Sequence, residues 1–355
     1  MTSRKRNYLI IGSVLLLVVV ASITLITKNK KSTIDQDGFY VKDIDSVTKL
    51  FIVDKADQRV LVERQPDSTW IIDGEYDANM SAVNIALRTL NGMRILYPVP
   101  RSMEANVIKI LSSRATKVEV YQRKFAINLF GIIKLFPREK LTKEYYIGHE
   151  TRNNMGTFVF LKGDEIPYVV HDPSFRGFFG PRFVANQLAW RSRAIFDHDL
   201  HAIQSIKMEI PESNEESFEL IKQDNDVKIK KLSSGEFLGN FDTLHVAQLL
   251  SSFVNVSFDE FVSAIPSLQI DSVFKKNPGF ILTLTDTAGN QKSIKTFVKL
   301  TNYYMVNPDE EIDSFYGIFD VDRMYAVIDE KDTVLIQYTS FDNILHPVSY
   351  FTGKR

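Results

Sequence analysis

Apolar and polar residues alternate along much of the chain after about residue 40, and the alternation predicts strands. Val47, Leu50 and Ile52 open a first strand, a polar turn between Lys55 and Arg59 leads to a second, and a third carries Trp70. The period then changes. Val83, Ile85, Ala86, Leu87, Leu90 and Met93 recur at three- and four-residue steps, which predicts a helix with one apolar face over 83–95. Pro98 and Pro100 are expected to end that region. Further strands are predicted at Lys117–Tyr121, Tyr145–Gly148, Thr157–Leu161 and Pro167–His171, with a closing strand at Val334–Tyr338.

The same order of elements occurs twice. FYVKDIDSVTKLFIVD from Phe39 aligns without gaps on IFDHDLHAIQSIKMEI from Ile195, VLVER at Val60 on FELIK at Phe218, and WII at Trp70 on VKI at Val227. The helix at Val83–Ile95 matches Thr243–Val256, where Leu244, Ala247, Leu250 and Val254 repeat the helical spacing, and YVV at Tyr168 is aligned with YAV at Tyr325. The expected fold is therefore α+β: a tandem duplication of a mostly antiparallel sheet unit with one packed helix each, over 32–193 and 194–355.

Residues Tyr8–Ile26 break both periods with an uncharged apolar run, YLIIGSVLLLVVVASITLI. At about 1.5 Å per residue it matches a hydrocarbon core of about 30 Å, which predicts a transmembrane helix within an N-terminal segment 1–31. The small pair Ala21 and Ser22 lies inside the run rather than after it, so an uncleaved anchor is expected in preference to a cleaved signal peptide. Arg4, Lys5 and Arg6 before it balance Lys28, Lys30 and Lys31 after it. Orientation then follows from the short basic tail, which stays cytoplasmic while a long domain translocates largely regardless of charge. An extracytoplasmic, periplasmic body on the inner membrane is the expectation, in contact with the bilayer through Tyr8–Ile26.

Composition narrows the chemistry. Lys plus Arg number 43 against 44 Asp plus Glu, so nothing points to a nucleic acid partner. The chain has no cysteine, which removes thiol nucleophiles and the lipoprotein route. No Gly-x-Ser-x-Gly elbow occurs, and Ser46 to Lys49 and Ser272 to Lys275 match Ser-x-x-Lys at the frequency chance allows. His198 and His201 within DHDLH, beside Asp197 and Asp199, are the only clustered candidates for a metal, and two histidines without further spaced ligands read as a solvated loop. No catalytic, cofactor or metal residue is assigned.

The segments present in one copy alone are where function is sought. An insert at 122–144 is apolar and basic together: Phe125, Leu129, Phe130, Ile132, Ile133, Lys134 and Phe136 lie in a stretch without acidic residues from Arg123 to Arg138. It reads either as a hairpin folded onto its own core or as a surface for an anionic membrane or a partner. A connector at 171–193 is rich in aromatic and arginine side chains, among them Arg176, Phe178, Arg182 and Trp190. Those residue types dominate interface hot spots, and they equally pack one unit against another.

VTKLFIVDK after the anchor, YPVP after the first helix, NNMGTFVFLKGDEIPYVVHDPSFRGFFGPRF, WRSRAIFDHDLHAI, DVDRMYAVI and VLIQYTSFDNI together resemble the bacterial domain-of-unknown-function family 4340 in its Bacteroidetes-like, membrane-anchored form. The resemblance covers nearly the whole chain and implies no catalytic residues. Through the ABC transporters of the gliding-motility type near which members are often encoded, it implies an envelope or transport-associated role. The expected function is a non-enzymatic accessory or docking subunit of a membrane complex; a tethered ligand-binding or sensing module is the alternative, and a tethered hydrolase a third.

Overall fold

A computed structural model describes residues 36–129, 133–223, 226–262, 273–301 and 318–353. The chain divides into two compact units at Arg191/Ser192. Both are mostly antiparallel α+β units. The expected transmembrane segment Tyr8–Ile26 lies outside the described residues, and among those described no helix is long and apolar enough to cross a membrane.

In the first unit the strands are β1 (Val47–Val53), β2 (Arg59–Arg64), β3 (Trp70–Ile72), β4 (Tyr76–Asp77), β5 (Arg94–Pro98), β6 (Thr116–Leu129), β7 (Ile133–Glu150), β8 (Thr157–Leu161) and β9 (Tyr168–His171). They form one sheet in the order β4-β3-β2-β1-β6-β7-β8-β9-β5. Helix α1 (Met80–Gly92) begins at Asn79, whose side chain accepts from the Ser81 and Ala82 amides, and it buries Val83, Ala86, Leu87 and Leu90. These pack with Leu50, Ile52, Val60, Val62, Val118, Val120 and Tyr145 from the strands. Tyr145 is fully buried and donates its hydroxyl to the Phe39 carbonyl, which ties the incoming chain to the sheet.

Another helix, α2 (Arg101–Arg114), follows directly on the prolines that were expected to end the first helical region. Pro100 is its N-cap, a place that suits a residue with fixed φ and no amide to donate. The helix buries only Val107 and Leu111, too thin a stripe to mark it in the sequence. Those two pack with Phe158 and Val169, whose neighbours Val159 and Val170 belong to the α1 core, so the helices lie on opposite faces of the sheet. The expectation of one helix per unit therefore fails in the first.

The second unit contains β10 (Ala194–Phe196), β11 (Ile203–Glu209), β12 (Phe218–Gln223), β13 (Asp226–Lys231), α3 (Thr243–Ser251), β14 (Val256–Ser257), β15 (Glu260–Phe261), β16 (Ile281–Asp286), β17 (Gln291–Leu300), β18 (Phe319–Ile328) and β19 (Asp332–Gln337). Its main sheet runs β13-β12-β11-β16-β17-β18-β19-β15. Strand for strand this is the order of the first sheet from β3 to β5. Asp242 caps α3 as Asn79 caps α1. One alignment needs correction: Tyr325 sits in β18, the topological counterpart of β8, whereas Tyr168 sits in β9, whose counterpart is β19. Both β18 and β19 carry alternating apolar residues, so the pattern alone allowed a slip of one strand.

Candidate functional site

The 122–144 insert continues strands β6 and β7 beyond the sheet. β1 accompanies β6 only as far as Val47↔Gln122, whereas β6 and β7 stay paired through Arg123↔Glu139, Lys124↔Arg138, Phe125↔Pro137, Ile127↔Leu135 and Leu129↔Ile133. At about 3.4 Å per residue, this two-stranded ribbon projects roughly 24 Å past its last β1 rung. Its base is stitched to the chain just before β1. The Gln122 amide nitrogen donates to the Asp43 carbonyl and to Ser46 Oγ, both at 2.8 Å, and Arg123 N donates to Ser46 O at 2.7 Å. On one face Glu139 is held by Lys49 and Thr48 Oγ1, at 2.5 and 2.7 Å. Burial alone would raise the Glu139 carboxyl, but these hydrogen bonds and the lysine charge bring it below the ordinary range.

Farther out the ribbon is exposed. Leu135 and Phe136 are 46% and 63% accessible, and Phe136 takes a left-handed φ of 56°, which is uncommon for a bulky side chain. Phe125 is half-buried. Leu129, Ile133 and Lys134 form the last backbone rungs, while Phe130 and Ile132 lie outside the described residues.

The connector divides between core and surface. Phe179, Phe183 and Trp190 are buried in the core of the first unit. At 2% accessibility Trp190 is withdrawn from any contact surface, and its indole NH donates to the Val184 carbonyl at 2.8 Å. Arg176 is exposed and Phe178 half-buried. Arg182 lies 3.7 Å from the Phe175 ring centroid and donates to Thr89 Oγ1 at 2.7 Å. Gly177, at φ 144°, lets the backbone pass a Phe175 ring that a Cβ would meet at 2.6 Å. Ile85, expected on the apolar face of the helix, points outward at 48% accessibility. With Ala82, Phe175, Arg182 and Val184 it lines an open, mainly apolar cavity of about 390 Å³.

Tertiary pairing brings together groups that are remote in the chain. Glu119 and Glu144 are directly opposite in β6 and β7. Each has two donors: Lys117 at 2.8 Å and Tyr121 at 2.7 Å for Glu119, Lys162 and Tyr146 at 2.8 Å for Glu144. Burial would raise the Glu144 carboxyl, yet hydrogen bonds from Lys162 and Tyr146, with the lysine charges, hold it below its usual range. The hydroxyls of Tyr121 and Tyr146 are pushed up to about 12, chiefly by hydrogen bonds to these same carboxylates. The pair is thus a ladder of hydrogen-bonded charges, and the lowered Glu144 carboxyl is the opposite of the raised acid that hydrolysis through two carboxyls requires. In the second unit Tyr350 is stacked between His245 and His346, at 4.1 and 3.7 Å between centroids. Burial and the neighbouring His245 lower the His346 pKa, which favours its neutral form.

The remaining motifs have structural partners. Ser46 Oγ donates to the Asp43 carbonyl, and Lys49 is engaged by Glu139. Ser272 lies outside the described residues. Asp199 accepts the His201 and Ala202 amides, and these backbone hydrogen bonds lower its pKa. Among the described residues no group of three or more His, Cys, Asp or Glu is arranged to hold a metal ion.

These features define a two-unit, mostly antiparallel α+β protein whose first unit carries a projecting basic and apolar ribbon. A family model described as a domain of unknown function (DUF4340) matches residues 70–273, more than half of the chain, and the chain belongs to that family. The matched stretch crosses the boundary between the two units. No curated protein and no solved structure matches the chain.

Proposed function

We propose that this is a single-span protein of the bacterial inner membrane, anchored through Tyr8–Ile26 with both units on the extracytoplasmic side. It acts as a docking subunit of a membrane complex, such as an ABC transporter, rather than as an enzyme. Carrying this reading is the β6–β7 ribbon. A lone two-stranded ribbon is marginally stable in water, and this one leaves Leu135 and Phe136 exposed beside basic side chains, an arrangement that contact with a partner would stabilise. Matching strand orders in the two sheets support their descent from a tandem duplication, against which the ribbon stands out as the first unit's addition.

Deleting 125–140 and closing β6 to β7 with a short turn should abolish crosslinking to the partner in native membranes. Thermal stability should change by no more than a few degrees, because the removed rungs lie outside the sheet core. Undiminished crosslinking by the shortened protein would refute the reading.

The cavity beside α1 favours a second reading, a tethered module that binds a small apolar ligand. Its volume of about 390 Å³ falls within the usual range of ligand sites, and Arg182 offers a cation at its wall. Native mass spectrometry of the full-length protein should then reveal a bound small molecule whose occupancy falls in Ile85→Arg. Equal spectra for the two proteins would remove this reading.

A further inference from the structure

The two faces of the ribbon carry different charge. Residues directly opposite in antiparallel strands project to the same side, and the sides alternate along each strand. The Arg123↔Glu139 rung therefore shares one face, where Glu139 is consumed by Lys49 and Thr48. The rungs Lys124↔Arg138 and Gln122↔Lys140 share the other. There Lys124, Arg138 and Lys140 line an open concavity of about 510 Å³ together with Phe125 and Leu141, and no acidic side chain lines it. None of the three cations is paired with a carboxylate among the described residues. Like charges directly opposite in a ladder repel, so Lys124 against Arg138 costs stability unless an anion neutralises them.

The topology says in which direction that face is carried. β1 begins at Val47, and β6, running antiparallel to it, leaves the sheet beyond its Val47↔Gln122 rung. The ribbon thus projects past the end of the sheet at which the chain arrives from its N-terminal side, and its base is bonded to Asp43 and Ser46. Residues 27–42 separate the apolar run Tyr8–Ile26 from that base, and sixteen residues reach at most about 55 Å when fully extended.

We propose that the Lys124, Arg138 and Lys140 face is a binding site for anionic phospholipid headgroups of the bilayer that holds the chain's own anchor, with the exposed Phe136 of the same face meeting the interfacial region. This rests on the reading of the ribbon as the docking arm and names what one face of it docks on. Three cations arranged without a carboxylate suit lipid phosphates, and the exposed Phe136 beside them suits the headgroup boundary. Contact with an anionic leaflet contributes about fivefold in population per cation, so the full face shifts the ribbon onto the surface by roughly a hundredfold.

The absence of native cysteine makes the test direct. Full-length protein carrying Phe136→Cys, labelled with an environment-sensitive fluorophore, is placed in nanodiscs of phosphatidylcholine alone or with about one third phosphatidylglycerol. Expected are blue-shifted emission and quenching by headgroup-linked nitroxides in the anionic discs, both lost in high salt and in Lys124→Glu/Arg138→Glu/Lys140→Glu. The conservative Lys124→Arg/Lys140→Arg protein should keep the response, and circular dichroism checks that the variants fold. Identical emission in both lipids, or an unchanged response after charge reversal, would overturn the proposal. Displacement by millimolar inorganic phosphate at constant ionic strength would overturn it too, by exposing a free-anion site. If the label stays in water but a photocrosslinker at the same position captures a protein in native membranes, the lipid site fails and the docking reading stands. Neither signal would sink both.

Discussion

Trp190→Ala is expected to destabilise the first unit by about 3–5 kcal/mol, the cost of emptying a large buried aromatic site. Trp190 is 2% accessible and packs in the core that contains α1 and the sheet. Its indole NH bonds to the Val184 carbonyl at 2.8 Å, and its own carbonyl accepts the Asn79 amide at 2.7 Å, immediately before α1 begins. Loss of the ring therefore removes packing next to the helix N-terminus as well as one hydrogen bond. The chain has two tryptophans, so Trp70, buried in the same core, remains as the fluorescence reporter for denaturant unfolding of the variant. Should the residue instead act as a contact anchor, stability would hold and partner capture would fall. A stability loss below about 1 kcal/mol would contradict the core assignment.

Lys299→Met should cost the second unit stability in the lower part of the about 3–5 kcal/mol range seen when one partner of a buried ion pair is removed. Lys299 Nζ lies 2.6 Å from Asp320 Oδ2, with the two side chains 8% and 15% accessible. The amides of Asp322 and Arg323 also bond Asp320, and they moderate the penalty of leaving that carboxylate alone. Burial raises the Asp320 carboxyl, but the hydrogen bond from Lys299, the two amides and the lysine charge outweigh it and hold the group below the ordinary carboxylate range. A carboxyl depressed in the folded state contributes stability above its unfolded pKa of about 3.9 and loses it as pH falls through the folded value. The deficit of the variant should therefore be widest at neutral pH and shrink below about pH 4. Urea titrations of both proteins across that window provide the check. Adding Asp320→Leu should recover part of the loss, because an apolar pair leaves no unpaired charge to bury.

Much of the fold was legible because its signal is local. The strands at Val47, Thr157 and Tyr168 were marked by alternation, and α1 by three- and four-residue spacing. Elements with thin apolar stripes were hidden: α2 buries two residues, and β5 follows directly on α1, where the helical spacing of apolar residues runs on through Ile95. The Tyr325 alignment slipped by one strand because β18 and β19 carry the same period. Of the candidate surfaces, the ribbon was legible as an odd insertion, but its cationic face depends on the register of β6 against β7, which no spacing within either strand reveals. The Glu119–Glu144 ladder and the His245–Tyr350–His346 stack join residues far apart in the chain, and they left no trace in any single motif.

By itself the amino-acid sequence determined the periodic elements and their repeated order, since the twofold and 3.6-fold spacing of side chains follows from backbone geometry within a few residues. Which side of the ledger each aromatic or charged residue occupies was decided by the tertiary structure. Trp190 and Phe136 are alike in sequence as apolar residues near arginines, yet one is enclosed by the sheet and α1 and the other stands in solvent on the ribbon. Burial is a property of what the fold places opposite a side chain, and that is set by strand pairing over distances the local pattern does not reach.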